Sequence, residues 1–164
     1  MDRQQIGLKL AVKGLNLPFQ INTFEDRLIL QKAVYLAQAA GINLGYYYHW
    51  YLYGPYSPSL TRDEYAIDMD ISSGLDESKG WKLDDISSQR LVEIQDIFME
   101  PERDKLAKKL ELLASVHFLI TRKQVSQRIT EEITSILRRF NKDFSEEEVQ
   151  NALRELKDYG LLTR

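Results

Sequence analysis

Between Tyr46 and Tyr53 the chain reads Tyr-Tyr-Tyr-His-Trp-Tyr-Leu-Tyr, bounded by Gly45 before it and Gly54-Pro55 after it. Aromatic side chains suit the pleated, half-buried surface of a strand, and glycine and proline punctuate such runs, so this stretch predicts a short strand. Alternation places Tyr46, Tyr48, Trp50 and Leu52 on one side and Tyr47, His49, Tyr51 and Tyr53 on the other. Gly54-Pro55 is expected to turn the chain. Ser57-Pro58 then supplies an N-cap and first helical residue for a helix through Leu60, Tyr65 and Ile67.

Almost everything else is patterned for helices. Residues 3–15 carry Ile6, Leu8, Leu10, Ala11 and Leu15 on a broad apolar side, with Lys9 and Lys13 opposite. Thr23 can cap a second helix whose first turn holds Glu25 and Asp26, where the macrodipole favours acids. Leu30, Ala33, Val34, Ala37 and Ala40 continue it, and Gly41 offers the left-handed residue that ends it; this is the expected central helix. Residues 72–80 are polar and glycine-containing, an expected linker, and Trp81-Lys82-Leu83 predicts a small edge strand. From Asp84 or Asp85, Ile86, Leu91, Ile94 and Phe98 are expected to point inward. A helix over roughly 101–120 presents Leu106, Leu110, Leu113, His117 and Ile120, and another over about 123–139 presents Val125, Ile129, Ile133 and Leu137. Ser145-Glu146-Glu147-Glu148 is a capping box opening a last helix through Val149, Leu153 and Leu156 to Gly160.

The expected fold is mainly α with a minor β element: a compact helical domain with a short aromatic strand or hairpin and a helix-turn-helix-like carboxy-terminal part. At 164 residues the chain fits a single domain over 1–164, divisible into a helix and aromatic-strand core at 1–83 and a helical, winged-helix-like part at 84–164.

The composition excludes several classes of chemistry. No cysteine is present, which removes disulfides, thiol catalysis and cysteine zinc sites, and agrees with a reducing compartment. Two histidines cannot make a histidine-rich metal site, so neither metal nor cofactor is expected. The net charge of −3 is spread over both halves and gives no global case for nucleic-acid binding. The first residues lack the order of a signal peptide, and no apolar run approaches the roughly 18 residues that span a bilayer. A cytoplasmic protein without membrane contact is expected.

Candidate chemistry is sparse. Glu146, Glu147 and Glu148 are explained by helix capping, and Asp63, Glu64, Asp68 and Asp70 by a solvated helix face. His117 lies in an apolar stripe and reads as a core or boundary histidine. His49 shares a strand side with three tyrosines but has no neighbouring nucleophile or base. No phosphate loop, dinucleotide fingerprint, nucleophile elbow or metalloprotease helix occurs, so a non-enzymatic function is expected. The last two helices resemble the helix-turn-helix of winged-helix proteins, yet Glu146, Glu147, Glu148, Glu155 and Asp158 against Arg154 and Lys157 would repel phosphates on the final helix.

Eight of the nine tyrosines fall between Tyr35 and Tyr65. Some must pack in the core, but one strand and one helix cannot bury all of them with every hydroxyl partnered. The rest are expected to line an exposed groove, where tyrosine and tryptophan carry binding energy.

The order Leu30-Gln31-Lys32-x-x-Tyr35-Leu36-x-Gln38, followed by Tyr53-Gly54-Pro55-Tyr56-Ser57-Pro58-x-Leu60, resembles the YwgA-type bacterial proteins and, more distantly, the Panacea domain of SocA-like antitoxins. The resemblance covers about residues 24–67, and Leu110-x-Leu112-Leu113-Ala114-Ser115-x-His117-Phe118-Leu119 is also similar to the YwgA type. It implies an α-rich protein-interaction module, antitoxin-like or an adaptor, with a toxin or a protease system as partner. By that resemblance Gln31, Lys32, Tyr35, Tyr53, Gly54, Pro55 and Pro58 belong to the partner-binding region. The side of the strand bearing Tyr47, His49 and Tyr51 joins them from the aromatic pattern. The sequence departs from the Panacea pattern in having Tyr56-Ser57 between Gly54-Pro55 and Pro58, and in reaching the strand by a shorter connection. A winged-helix-like nucleic-acid-binding regulator is the alternative expectation. Oligomeric state is not readable from the sequence.

Overall fold

The structure, a computed structural model, describes residues 1–122, 125 and 130–162. Within them the chain forms α1 (Arg3–Gly14), α2 (Phe24–Ala39), β1 (His49–Tyr51), β2 (Gly54–Tyr56), α3 (Pro58–Ser72), α4 (Asp85–Ile94), α5 (Arg103–Arg122), α6 (Thr130–Arg139) and α7 (Glu146–Asp158), with a 3-10 turn at Gln95–Phe98. It is a mainly helical domain carrying one two-stranded antiparallel hairpin.

Local signals set the helix starts. Thr23 and Ser145 each accept from the backbone N–H three residues on and form full capping boxes with Asp26 and Glu148. Asp84 caps α4 through the Ser87 N–H, and Ser57 caps α3 ahead of Pro58. The end of α2 follows from Gly41, whose φ of +98° lets the Ile42 N–H turn back to the Ala37 carbonyl.

The centre of the domain is the packing of α2 against α5, with α7 also against α5 and α1 beside α2. From Ile29 to Ala37 every residue of α2 is buried. A helix enclosed on all sides buries whatever polar residues its sequence carries, and here those are Gln31 and Lys32. One contiguous apolar core draws on α1, α2 and α5 together with Ile133, Leu137, Val149, Leu153 and Leu156 from the last two helices.

Several expectations change. The aromatic strand is shorter than the run that predicts it, because only His49–Tyr51 pairs, with Gly54–Tyr56 as its partner. Gly54-Pro55 therefore lies within β2, and Leu52-Tyr53 makes the turn. Residues 81–83 form no strand; the preceding segment is instead pinned to α1 through Lys9, whose ammonium reaches the Asp76 carboxylate at 2.5 Å and the Ser78 hydroxyl at 3.0 Å. Ile86 is exposed, since the inward face of α4 runs through Leu91 and Ile94 and continues into Ile97 of the 3-10 turn. Asp63 and Glu64 are buried rather than solvated, because this turn of α3 lies under Tyr46 and Tyr48. The expected beginning of the sixth helix at 123 and the position of Ile129 lie outside the described residues; Val125 is buried but not helical.

Candidate functional site

The hairpin at 49–56 is the β element among the described residues, and side chains from α2, α5 and the α6–α7 loop fasten it. Gln31 uses both ends of its amide on Ser57: Nε2 donates to the Ser57 carbonyl at 2.9 Å, and Oε1 accepts the Ser57 N–H at 3.0 Å. One heptad later Gln38 repeats the grip on Tyr46, donating to its carbonyl at 3.0 Å and accepting its N–H at 2.9 Å. Two glutamines on one helix thus supply the backbone pairing that a neighbouring strand would otherwise provide.

Beneath the hairpin sit two buried lysines. Lys32 donates to the Pro55 carbonyl at 2.5 Å. Lys142 donates to the Leu52 carbonyl and to the Glu111 carboxylate, the latter at 2.9 Å. Burial pulls the Lys32 ammonium down to about 7; Glu111 opposes that shift and Lys142 adds to it. Gly54 sits where α5 comes closest: its φ is +89°, and a Cβ there would stand 2.3 Å from the Ser115 hydroxyl oxygen. Only glycine fits both the conformation and the space.

The inward tyrosines are satisfied, whereas the buried indole N–H of Trp50 has no partner among the described residues. Tyr46 donates to Asp63 at 2.7 Å and Tyr48 to the Gln31 carbonyl at 2.9 Å. Tyr35 packs edge-on against Tyr48 and bonds His117 Nδ1 at 2.8 Å, while His117 Nε2 meets the Leu161 carbonyl at 3.1 Å. A carbonyl only accepts, so Nε2 carries the imidazole proton, Nδ1 accepts, and the Tyr35 hydroxyl is the donor. Burial lowers the His117 pKa, which keeps this neutral tautomer, and burial raises that of Tyr35. The chain Tyr48, Tyr35, His117, Leu161 is a structural tie to the carboxy-terminal segment, with no substrate-accessible nucleophile in it.

The outward rings differ. Tyr47 is 81% exposed and Leu52 77%, with Tyr51 and Tyr53 each close to half exposed. His49 and Pro58 are exposed as well. Alternation along Tyr46–Tyr51 is therefore as the sequence predicts, and it breaks at Leu52, which the turn throws into solvent. Of the residues expected at a partner surface, Tyr47, His49, Tyr51, Tyr53 and Pro58 lie outside. Gln31, Lys32, Tyr35, Gly54 and Pro55 are buried. The second group builds the support on which the first is displayed.

Between the hairpin, α2 and α3 lies an apolar cavity of about 340 Å³, walled by Phe24, Leu28, Tyr51, Tyr53, Tyr56 and Tyr65, with Arg27, Gln31, Thr61 and Lys32 supplying its polar atoms. Phe24 and Tyr53 meet edge-on at 4.9 Å, and Tyr51 and Tyr56 at 5.2 Å. Sequence reasoning missed Phe24, Arg27, Glu111 and Lys142 as parts of this region. For Lys142 no local signal exists, since its partners Glu111 and Leu52 are 31 and 90 residues away. The described residues contain no group of three or more His, Cys, Asp or Glu placed to hold a metal, and no helix among them is long and apolar enough to cross a membrane.

No family model, curated protein or solved structure matches the chain.

Proposed function

We propose that this chain is a non-enzymatic, cytoplasmic protein-interaction module, and that the exposed edge of the hairpin is the surface that meets the partner. The observation that carries this reading is the division of the aromatic run: Tyr51, Leu52 and Tyr53 stand in solvent on a hairpin whose backbone is fixed by buried side chains, with Tyr47 exposed just before it. Tyrosines on a rigid support lose little entropy on binding and are favoured anchors of protein interfaces. The resemblance to YwgA-type and Panacea proteins makes the module antitoxin-like or an adaptor, and makes a toxin or a protease system its first candidate partner.

The winged-helix alternative has weaker support. The exposed face of α7 presents Glu146, Glu147 and Glu148 at its start, where a recognition helix would face phosphates.

The test is site-specific photocrosslinking in cells, with a benzophenone amino acid at Tyr47 or Tyr53 and, as control, at Trp81, an exposed aromatic residue outside the hairpin segment. A defined protein adduct from Tyr47 and Tyr53, absent from Trp81 and, for the Tyr47 position, lost in a Leu52→Ser, Tyr53→Ala variant of unchanged stability, is the expected result. Salt-sensitive retention on DNA with no protein adduct would sink this reading.

A further inference from the structure

The cavity wall carries Lys32, a buried lysine that makes no ion pair with a carboxylate among the described residues. Lys32, Lys142 and Glu111 lie together beneath the hairpin, two cations against one carboxylate. Glu111 is spent on Lys142, with which it makes an ion pair at 2.9 Å. Lys32 has three N–H donors, and among the described residues only the Pro55 carbonyl accepts from it. Its side chain is among the largest fully buried ones in the domain, yet it borders the cavity. Burial penalises the Lys32 ammonium more than Glu111 relieves it, and a ligand bringing a carboxylate would supply a direct ion pair and a second acceptor.

The walls define the rest of the ligand. They are almost wholly aromatic and aliphatic, and the volume lies at the lower end of the roughly 300–1,000 Å³ typical of small-ligand sites. A cationic ligand is disfavoured by Lys32 and by Arg27 on the wall. The Tyr53 ring, otherwise a platform for a cation, already has the Lys142 ammonium 5.4 Å from its centre.

We propose that this cavity binds a small carboxylic acid bearing one apolar or aromatic group, with the carboxylate on Lys32 Nζ and the apolar group among Phe24, Tyr53, Tyr56 and Tyr65. The site shares Tyr51 and Tyr53 with the partner surface proposed above, but ligand binding needs no protein on the hairpin edge and is tested on the chain alone.

The test is ligand-observed and protein-observed NMR titration of the whole chain with phenylacetate, benzoate and hexanoate, each beside its neutral amide. Saturable binding of at least one acid, about tenfold or more tighter than its amide, is expected, because a charge-assisted bond to Lys32 is present only for the acid. Lys32→Gln should abolish that difference. Because Lys32 also supports the hairpin, Tyr65→Ala at the half-exposed wall is the second variant: it should weaken the acid several-fold at unchanged melting temperature. Amides binding as tightly as acids, no saturable binding of any acid, or a folded Tyr65→Ala chain that binds like the parent would each overturn the proposal.

Discussion

The side-chain amide of Gln31 pairs with Ser57 as a strand would, donating to its carbonyl and accepting its N–H while Nε2 also reaches the Thr61 hydroxyl at 2.8 Å. Ser57 is itself fully buried and caps α3, so one glutamine joins the central helix, the end of the hairpin and the start of the next helix. The pairing gives Gln31 a reason to sit in an enclosed helix that has nothing to do with touching a partner.

Replacing Gln31 with Leu removes that pairing and leaves the buried Ser57 N–H without a partner, whereas the Ser57 carbonyl keeps the Thr61 N–H at 3.3 Å. An unsatisfied buried group costs about 1–3 kcal/mol, and the variant is expected to lose an amount at the upper end of that range because the lost bond to the Ser57 carbonyl adds to it. Gln38→Leu makes the equivalent deletion where the chain is half-buried and water can replace the amide, and should cost about 1 kcal/mol. Urea denaturation of both variants measures the difference, and equal losses would mean that burial of Ser57 does not govern the effect.

Glu64 makes stability depend on pH. Both carboxyl oxygens are buried without a hydrogen-bond partner among the described residues, and burial pushes the group up to about 8, with Arg27 opposing the shift and Asp63 adding to it. The folded chain therefore holds a proton on Glu64 between the ordinary carboxylate range and about pH 8 that the unfolded chain has released. Stability from this group is fully present below about pH 4.5 and is lost as pH rises towards 8. At about 1.4 kcal/mol per pKa unit, Glu64→Gln should stabilise the chain by a few kcal/mol at pH 8 and change little at pH 4. Lys32 acts in the opposite sense at higher pH: its folded value is about 7, so stability rises from there towards its unfolded value of 10.5. Urea midpoints measured from pH 4 to 10 separate the two, and a Glu64→Gln profile parallel to the parent's would refute the assignment to Glu64.

What the sequence discloses here is what depends on neighbours along the chain. Thr23, Asp84 and Ser145 reveal helix starts because a cap bonds three residues away, and Tyr46 to Tyr51 reveal their sides because alternation is a property of the strand itself. The state of Gln31, Lys32, Asp63 and Glu64 depends on what packs over them, namely the hairpin and the other helices. Polarity alone predicts exposure for all four, and packing reverses it. The exposed part of the aromatic run was legible; the buried lysine beneath it was not.

Gly54 and Ser115 form a coupled pair. Gly54→Ala meets two obstacles, a left-handed backbone and the Ser115 hydroxyl at 2.3 Å from the new methyl. The conformation costs roughly 1–2 kcal/mol and the clash adds to it. Adding Ser115→Gly should return only the steric share, leaving a residual loss of that size. Ser115→Ala alone should be neutral or slightly stabilising, because its buried hydroxyl has no partner to lose among the described residues. Full rescue of Gly54→Ala by Ser115→Gly would show that the backbone conformation carries no cost.

Lys142 and Glu111 form the buried ion pair under the hairpin turn, with the Lys142 side chain 2% and the Glu111 side chain 12% exposed. Removing one member leaves the other charge buried alone, a change that typically costs about 3–5 kcal/mol. Lys142→Met also frees the Leu52 carbonyl and withdraws the ammonium from the Trp50 ring, whose centre is 6.0 Å away. The turn should then open more readily, with faster amide exchange over Leu52–Gly54 than over β2's continuation at Ser57, which Gln31 still holds. In a Trp81→Phe background the emission of Trp50 should move to longer wavelength as its contacts with Phe118 and Phe140 loosen. The double variant Lys142→Met, Glu111→Leu removes both charges and should recover much of the stability but not the fixed turn, because no donor returns to Leu52. If the double variant restores slow exchange at the turn, apolar packing rather than the lysine bond to Leu52 fixes the hairpin.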